Sequence, residues 1–268
     1  MKLLKLSIVA LSLSVFVGCK KKDEDPKPPT ITGLSASTGN ANASITITGA
    51  NFSATPASNT VKFGDVQAEV TTASTTSLTV KVPNGSTKGK VSVKVGTFDP
   101  AVSAGDFMTT SFIDSRDSKE YPLIYIGDQT WFKKNLNYDI PNETSDVCYQ
   151  SNASFCDEGR FYNQALAKTV CPQGWRLPAE TDFNTLLISQ GSTPTEQYNK
   201  LKVGGSSGFD IVLAGGGSTS DRGTKAAIWT NTATNETQGR YLFAGESPLL
   251  LGFFDVSKSI PLCVRCIK

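Results

Sequence analysis

The strongest constraint on the fold of this chain is a two-residue alternation of apolar and polar side chains between residues 31 and 107. The alternation recurs in segments 45–48, 61–63, 78–82 and 91–95. Alternating segments rich in Val, Ile and Thr form strands with one buried face. Turn-forming pairs such as Gly39-Asn40 separate these segments, and no helical stretch interrupts them. Many short strands at this spacing predict a β-sandwich.

The first 18 residues have the pattern of a secretory signal peptide. Lys2 and Lys5 provide the positive start, and the apolar core at residues 6–17 is shorter than the ~20 residues that span a bilayer. The segment ends in Phe16-Val17-Gly18-Cys19, which resembles a bacterial lipobox. This resemblance implies that diacylglycerol is attached to Cys19, which becomes the new N-terminus. The alternative is an ordinary signal peptide with an accidental cysteine.

Residues 19–29 are predicted to form a flexible tether. After Cys19 they read Lys20-Lys21-Lys22, then Asp23-Glu24-Asp25, then Pro26-Lys27-Pro28-Pro29, with no apolar side chain that could pack. Lysine followed by acids beside a lipidated cysteine resembles the signal that exports lipoproteins to the cell surface in Bacteroidota. The expected location is therefore the outer membrane at the cell surface, with the membrane as a partner through the lipid.

Composition excludes several functional classes. The chain has 26 basic and 24 acidic residues, and without Lys2 and Lys5 the two counts are equal at 24. A neutral chain has no broad attraction for nucleic acid, so we expect no such partner. The chain contains no histidine. It therefore cannot form a Ser-His-Asp triad or a histidine-based zinc site.

Four segments of the alternating region resemble an IPT/TIG immunoglobulin-like domain, predicted at residues 30–110. They are Pro29-Thr30-Ile31-Thr32, Ile45-Thr46-Ile47-Thr48-Gly49-Ala50-Asn51-Phe52, Asn59-Thr60-Val61-Lys62-Phe63-Gly64 and Leu78-Thr79-Val80-Lys81-Val82-Pro83. The resemblance implies an all-β sandwich that serves as a spacer or, alternatively, as a binding module. No polar or aromatic cluster indicates a site here, which favours the spacer.

The composition changes after Thr110, and residues 111–268 are predicted to form a second, α+β domain. All three tryptophans lie there: Trp131, Trp175 and Trp229. The pattern predicts a hairpin over residues 113–126, one helix over 160–168 and another after Pro178. After Gly191 it predicts mostly turns and short strands.

Several segments of this region, in order, resemble the Fibrobacter succinogenes major paralogous domain. They include Ile126-Gly127-Asp128-Gln129-Thr130-Trp131, Gly159-Arg160-Phe161-Tyr162, Cys171-Pro172-Gln173-Gly174-Trp175-Arg176-Leu177-Pro178 and Val264-Arg265-Cys266. The resemblance implies a C-type lectin-like fold, related also to the formylglycine-generating enzyme group through the Arg-Leu-Pro motif. It implies no particular activity.

Five cysteines follow Cys19, and an exported protein is expected to oxidise them to disulfides. The family resemblance implies Cys148–Cys156 and Cys171–Cys266, the second matching the long bridge of C-type lectin-like folds. Cys263 departs from the family pattern and leaves open which of Cys263 and Cys266 pairs with Cys171. A redox or metal site at this C-x-x-C is disfavoured, because positions i and i+3 of a strand lie roughly 10 Å apart.

Three further motifs have structural explanations that outweigh the functional ones. The alternating acids from Asp114 to Asp117 predict a hairpin turn rather than a calcium loop. Trp229-Thr230-Asn231 lacks the acid of a lectin calcium motif, so Trp229 is predicted to be buried. Glu180 and Asp182 fit the first turn of a helix better than a glycosidase pair. We therefore expect no metal and no cofactor.

The sequence favours a non-catalytic surface protein whose second domain binds a glycan or a protein. The contact surface is predicted in segment 210–247, with these candidate residues: Asp210, Arg222, Asn231, Arg240 and Tyr241. A structural subunit of an outer-membrane complex is the second hypothesis. The third is a formylglycine-generating-like enzyme that binds copper through Cys263 and Cys266.

Overall fold

A computed structural model describes residues 25–144, 147–216, 221–246 and 249–268. The predicted signal peptide, Cys19 and the tether as far as residue 24 lie outside these ranges. Within them, no helix is long and apolar enough to cross a membrane.

The N-terminal part of the described chain is a two-sheet β-sandwich. Its strands are β1 (Thr30–Leu34), β2 (Thr38–Gly39), β3 (Ser44–Ala50), β4 (Asn59–Phe63), β5 (Val66–Ala68), β6 (Val70–Ala73), β7 (Ser77–Lys81), β8 (Lys88–Val95) and β9 (Ala101–Thr109). One sheet has the order β1-β3-β7-β6 and the other β2-β9-β8-β4-β5. Side chains such as Ile47 and Leu78 from the first sheet and Val93 and Phe107 from the second are fully buried between the sheets. The apolar residues of the predicted alternation therefore form the core of the sandwich.

The C-terminal part contains two sheets and three short α-helices. The strands are β10 (Ser111–Ile113), β11 (Glu120–Ile126), β12 (Gln129–Phe132), β13 (Phe161–Tyr162), β14 (Lys225–Ala233), β15 (Gln238–Glu246), β16 (Leu249–Ser257) and β17 (Leu262–Cys263). The helices are α1 (Gln164–Ala167), α2 (Glu180–Gln190) and α3 (Pro194–Leu201). Sheet orders are β10-β11-β12 and β13-β17-β14-β15-β16, so the described chain is mostly β-sheet.

The prediction for the region after Gly191 was wrong, because α3 and three strands of nine residues each lie there. Strand β14 buries both faces: Ala226 and Ile228 face one hydrophobic cluster, and Ala227 and Trp229 face the other. A strand buried on both faces has a continuous apolar sequence, which hides the period of two. The predicted helix at 160–168 is also shorter than expected, since β13 occupies its start.

The predicted hairpin and the helix after Pro178 are confirmed. In α2, Oδ2 of Asp182 accepts a hydrogen bond from the Ala179 backbone N–H at 2.7 Å, and its two carboxylate oxygens accept from Arg176 at 2.6 and 2.8 Å. Glu180 instead pairs with Arg240 at 2.9 Å. Both acids therefore stabilise the start of this helix and its contact with the sheet.

Two disulfides join the cysteines in the pairing implied by the family resemblance: Cys148 with Cys156, and Cys171 with Cys266. Cys263 is a free, buried thiol. Burial raises the pKa of Cys263 to about 12, so the thiol stays protonated at neutral pH. The two cysteines of the C-x-x-C are thus not available together as a metal-binding pair.

The two parts of the chain meet across a junction in which one residue, Thr110, separates β9 from β10. Asn84 donates from Nδ2 to the Ile113 carbonyl at 2.7 Å and accepts from the Ile113 backbone N–H at 2.9 Å. The Tyr125 hydroxyl donates to the Thr109 carbonyl at 2.6 Å. These hydrogen bonds hold the C-terminal part from β10 onward, called the head below, against the end of the sandwich.

Candidate ligand-binding groove

Among the described residues, the five-stranded sheet of the C-terminal part is covered on one face and partly open on the other. Helices α2 and α3 cover the first face, where Phe183 packs 6.5 Å from Phe253 between ring centroids. On the second face, Trp229 is buried in a cluster that includes Phe132 and Trp175. Near the start of β14 and the end of β15, this second face carries a groove.

Strand register determines which side chains share the open face. Three rows cross β14, β15 and β16 there: Lys225, Gly245 and Leu250; Ala227, Phe243 and Gly252; and Trp229, Tyr241 and Phe254. The first two of these rows combine large side chains with glycine or alanine. The small residues leave space beside the large ones, and this spacing creates the groove.

Aromatic rings form the surface of this face. The ring centroid of Phe254 lies 6.3 Å from that of Tyr241 and 5.7 Å from that of Phe243. Phe254 is 39% exposed on the edge strand β16. A Cβ atom at position 245 would lie 3.0 Å from Cε1 of Phe243. The Phe243 ring therefore leans over Gly245, and Phe243 is half-buried.

The groove has a volume of ≈ 280 Å³ and mixes apolar walls with a few polar groups. Its lining comprises Gly216, Asp221, Lys225, Ala227, Tyr241, Phe243, Val256, Ile260 and Leu262. At its polar end, Lys225 Nζ lies 3.1 Å from Asp221 Oδ1. Burial raises the pKa of Tyr241, and the negative charges of Asp221 and Asp255 raise it further. The Tyr241 hydroxyl is thus a protonated hydrogen-bond donor at neutral pH.

Of the five residues predicted to contact a ligand, Tyr241 lines the groove. Asn231 is exposed on β14, and its backbone N–H donates to the Pro178 carbonyl at 2.7 Å. Asp210 forms an ion pair with Lys133 at 3.0 Å. Neither Asn231 nor Asp210 belongs to the lining of the groove.

The two predicted arginines take part in ion pairs away from the groove. Arg222 donates from Nε to Oε2 of Glu158 at 2.8 Å. Arg240 bridges Glu180 and Asp255, with N–O distances of 2.9 and 3.3 Å. Both arginines connect separate segments of the head, and these contacts explain their presence without a ligand.

Sequence reasoning missed Phe243, Phe254 and the Asp221–Lys225 pair. A signal for the aromatic residues exists, because residues 239–245 alternate as Gly-x-Tyr-x-Phe-x-Gly. That alternation of large and small side chains marks one sheet face. The prediction of turns and short strands after Gly191 did not include this strand.

No group of three or more His, Cys, Asp or Glu residues suited to hold a metal ion occurs in the described ranges. Asp114, in the segment that resembles a calcium loop, is buried and accepts hydrogen bonds from Nε and Nη2 of Arg116 at 2.9 and 2.6 Å. Its carboxylate therefore stabilises the hairpin turn between β10 and β11.

The model of the Fibrobacter succinogenes major domain matches residues 124–268, which is more than half of the 268-residue chain. The chain belongs to the Fibrobacter succinogenes major domain family. In this family member, the IPT/TIG domain model also matches residues 29–109, which contain the sandwich. No curated protein matches the chain.

Solved structures show only a distant similarity to this family member. Auxiliary nutrient binding proteins from Bacteroides thetaiotaomicron VPI-5482 and Bacteroides ovatus ATCC 8483 share 20% and 19% identity, each with a TM-score of 0.30. The matches cover 41% and 43% of this chain but 27% and 28% of theirs. A protein of B. thetaiotaomicron provisionally described as a phosphatase has 20% identity and a TM-score of 0.30, with coverage of 41% and 31%. The chain spans less than a third of each relative, and scores this low carry no argument about its ligand.

Proposed function

We propose that this chain is a non-catalytic ligand-binding lipoprotein of the outer-membrane surface, with a C-type lectin-like head that binds a glycan or a protein. The observation that carries the proposal is the open aromatic groove on the five-stranded sheet. Exposed apolar surface that is bordered by polar groups is typical of binding sites. The groove is presented by adjacent β-strands, so its geometry is rigid.

The composition of the groove supports binding rather than catalysis. Asp221 is the one carboxylate among its described lining residues. A glycosidase of the usual kind needs two carboxyl groups about 5–10 Å apart on either side of the scissile bond. With no histidine in the chain, acid–base chemistry would have to rely on groups that the groove does not bring together.

The proposed role of the remaining segments is to position this head. Lipid on Cys19 would anchor the chain, the tether at 19–29 would provide reach, and the sandwich would act as a spacer. The hydrogen bonds of Asn84 to Ile113 support this role, because they hold the head in a defined direction.

A binding test uses the full-length protein purified in detergent and applied to arrays of glycans and extracellular matrix proteins. We expect the wild-type protein to bind at least one class and the Tyr241→Ala variant to lose binding. Phe98→Ala, a half-buried aromatic residue of the sandwich, serves as the matched control. Blank arrays for the wild-type protein, or equal binding by Tyr241→Ala, would count against the proposed groove.

The proposed location is tested separately from ligand binding. Cys19→Ser should move the protein from the membrane fraction to the soluble fraction, because no acyl chain can be attached. Protease added to intact cells should degrade the wild-type protein if it lies on the outer surface. A chain that stays membrane-bound as Cys19→Ser would contradict lipid anchoring.

A structural subunit of an outer-membrane complex is the second candidate function. The exposed apolar side chains of the edge strand β16 favour it, since Leu249, Leu250 and Phe254 are 38%, 42% and 39% exposed. A pull-down from gently solubilised membranes, with a tag after Lys268, should then recover a stoichiometric partner. Leu250→Ser should release that partner, whereas Val203→Ser, which changes another exposed apolar residue, should not.

A further inference from the structure

We infer that the groove binds a neutral pyranose ring of a glycan, stacked on Phe243 beside Tyr241, with sugar hydroxyls at the Asp221–Lys225 end. This inference rests on the proposed binding function and names the ligand class for the same site. It commits to a sugar rather than to a peptide.

Two aromatic side chains line the groove, and a sugar ring can stack on such a ring. A pyranose presents C–H groups on one face, and these carry a small positive charge that the electron-rich face of an aromatic ring attracts. Phe243 leans over Gly245, is half-buried and lines the groove. Its cross-strand neighbours on either side, Ala227 and Gly252, have no long side chain, and Phe254 contacts the ring edge-on with the ring centroids 5.7 Å apart.

The polar groups of the groove are complementary to an uncharged polyol. Asp221 and Lys225 form an ion pair, so the groove end has no excess charge of either sign. The carboxylate accepts hydrogen bonds, while the ammonium group and the Tyr241 hydroxyl donate them. A hydroxyl group can serve either kind of partner. An anionic or cationic ligand would instead have to face the like-charged member of the pair.

The size of the groove favours a ring over a protein surface. Its volume of ≈ 280 Å³ is just below the range of about 300–1,000 Å³ that is typical of small-molecule pockets. Such a volume suits one ring of an oligosaccharide, with neighbouring rings extending along the exposed face toward Phe254. A protein partner would need a contact area far larger than this depression.

The test is saturation-transfer NMR combined with calorimetry on the full-length protein in detergent. The probes are methyl glycosides of glucose, galactose and mannose, their linear tetrasaccharides, and sialyllactose and glucosamine as charged comparators. We expect a neutral probe to bind, with saturation strongest on ring C–H protons. Phe243→Ala should weaken binding at least about tenfold, as for the central residue of an interface.

Gly245→Val provides a sharper variant because it keeps every groove side chain and only displaces the Phe243 ring. It should also weaken binding at least about tenfold, while Phe98→Ala should leave it unchanged. Asp221→Asn preserves the shape of the groove and should weaken binding too, which keeps the test decisive if Gly245→Val does not fold.

Two outcomes would overturn the inference while the binding function stands. One is a protein ligand from the arrays that requires Tyr241 and Phe243 when no sugar binds. The other is a preference for sialyllactose or glucosamine over every neutral probe. If neither sugars nor proteins bind the wild-type chain, the inference and the proposed function both fail.

Discussion

Arg265 is completely buried, and its Nε and Nη2 atoms both donate to Oδ1 of Asn135, at 3.2 and 2.9 Å. Nη1 donates to the Phe209 carbonyl, and the guanidinium lies 4.5 Å from the centroid of the Phe209 ring. Desolvation lowers the pKa of Arg265 to about 10, so it remains charged at neutral pH. A buried cation is thus accommodated mainly by neutral acceptors and one aromatic ring.

Asn135→Ala should therefore destabilise the head strongly. It leaves two donors of a buried charge without their acceptor, and removing one partner of a buried charged group costs about 3 kcal/mol of unfolding free energy. Urea denaturation followed by tryptophan fluorescence measures this loss. Asn137→Ala, at a half-buried neighbour, is the control, and equal losses in both variants would show that Arg265 does not depend on Asn135.

The two disulfides should contribute unequally to stability. Cys171–Cys266 joins residues 95 positions apart, and Cys148–Cys156 joins residues 8 apart. In the chain-entropy model, the closed loops correspond to about 4.7 and about 2.5 kcal/mol of unfolding free energy. Replacing each pair with serines and measuring urea denaturation tests this order. A larger loss for the short loop would contradict the entropic explanation.

Stability should fall in acid partly because of Asp182. Hydrogen bonds from Arg176, and then from the Ala179 backbone N–H, hold the pKa of this carboxyl below its usual value of 3.8. A lowered folded-state pKa stabilises the protein above the unfolded-state pKa, and this contribution disappears as the pH falls through the folded-state pKa. Asp182→Asn should lower the free energy of unfolding by about 1 kcal/mol at neutral pH and by less in acid.

The measurement for Asp182 is the urea midpoint at several pH values from neutral to about pH 2. The wild-type and Asp182→Asn midpoints should converge in acid. The urea midpoint of Asp128→Asn, at an exposed position, should differ from that of the wild type by the same amount at every pH. A constant difference between wild type and Asp182→Asn would mean that the carboxylate charge is not responsible.

Asn84→Ala should loosen the junction between the two parts without unfolding either. It removes both hydrogen bonds to the Ile113 backbone, which connect the sandwich to β10. Spin labels at exposed positions, introduced as Thr60→Cys and Asn231→Cys, should report a broader distance distribution. Thr71→Ala, which removes a hydrogen bond within the sandwich, should not broaden it. An unchanged distribution in Asn84→Ala would show that other contacts determine the orientation.

Sequence patterns predicted the sandwich well and the C-terminal sheet poorly, for a physical reason. Strands such as β3, β4 and β7 of the sandwich bury alternate residues, so their sequences show the period of two directly. In β14, residues 226–229 are all buried because both faces of the sheet are covered. Helix α3 had a readable signal, since Thr193 and Glu196 form a capping box at its start.

The candidate site was located only in part because it depends on cross-strand register. Tyr241 could be selected from the sequence as an aromatic candidate within segment 210–247. Its association with Phe254, 13 positions later, follows from the pairing of β15 with β16, which no local pattern specifies. Arg222 and Arg240 were predicted as ligand contacts, but each forms an ion pair with a glutamate that is distant in the sequence.

The parallel pairing of β2 with β9, where Thr38 opposes Met108 and Gly39 opposes Thr109, has a mechanical consequence. In the proposed arrangement, with the N-terminal side anchored and a ligand pulling on the head, the force would act on these two strands in opposite directions along their length. The hydrogen bonds from Met108 N–H to the Ser37 carbonyl and from Thr110 N–H to the Gly39 carbonyl are then loaded in shear. They must break together rather than one after another, so this pairing resists separation of the first and last parts of the sandwich.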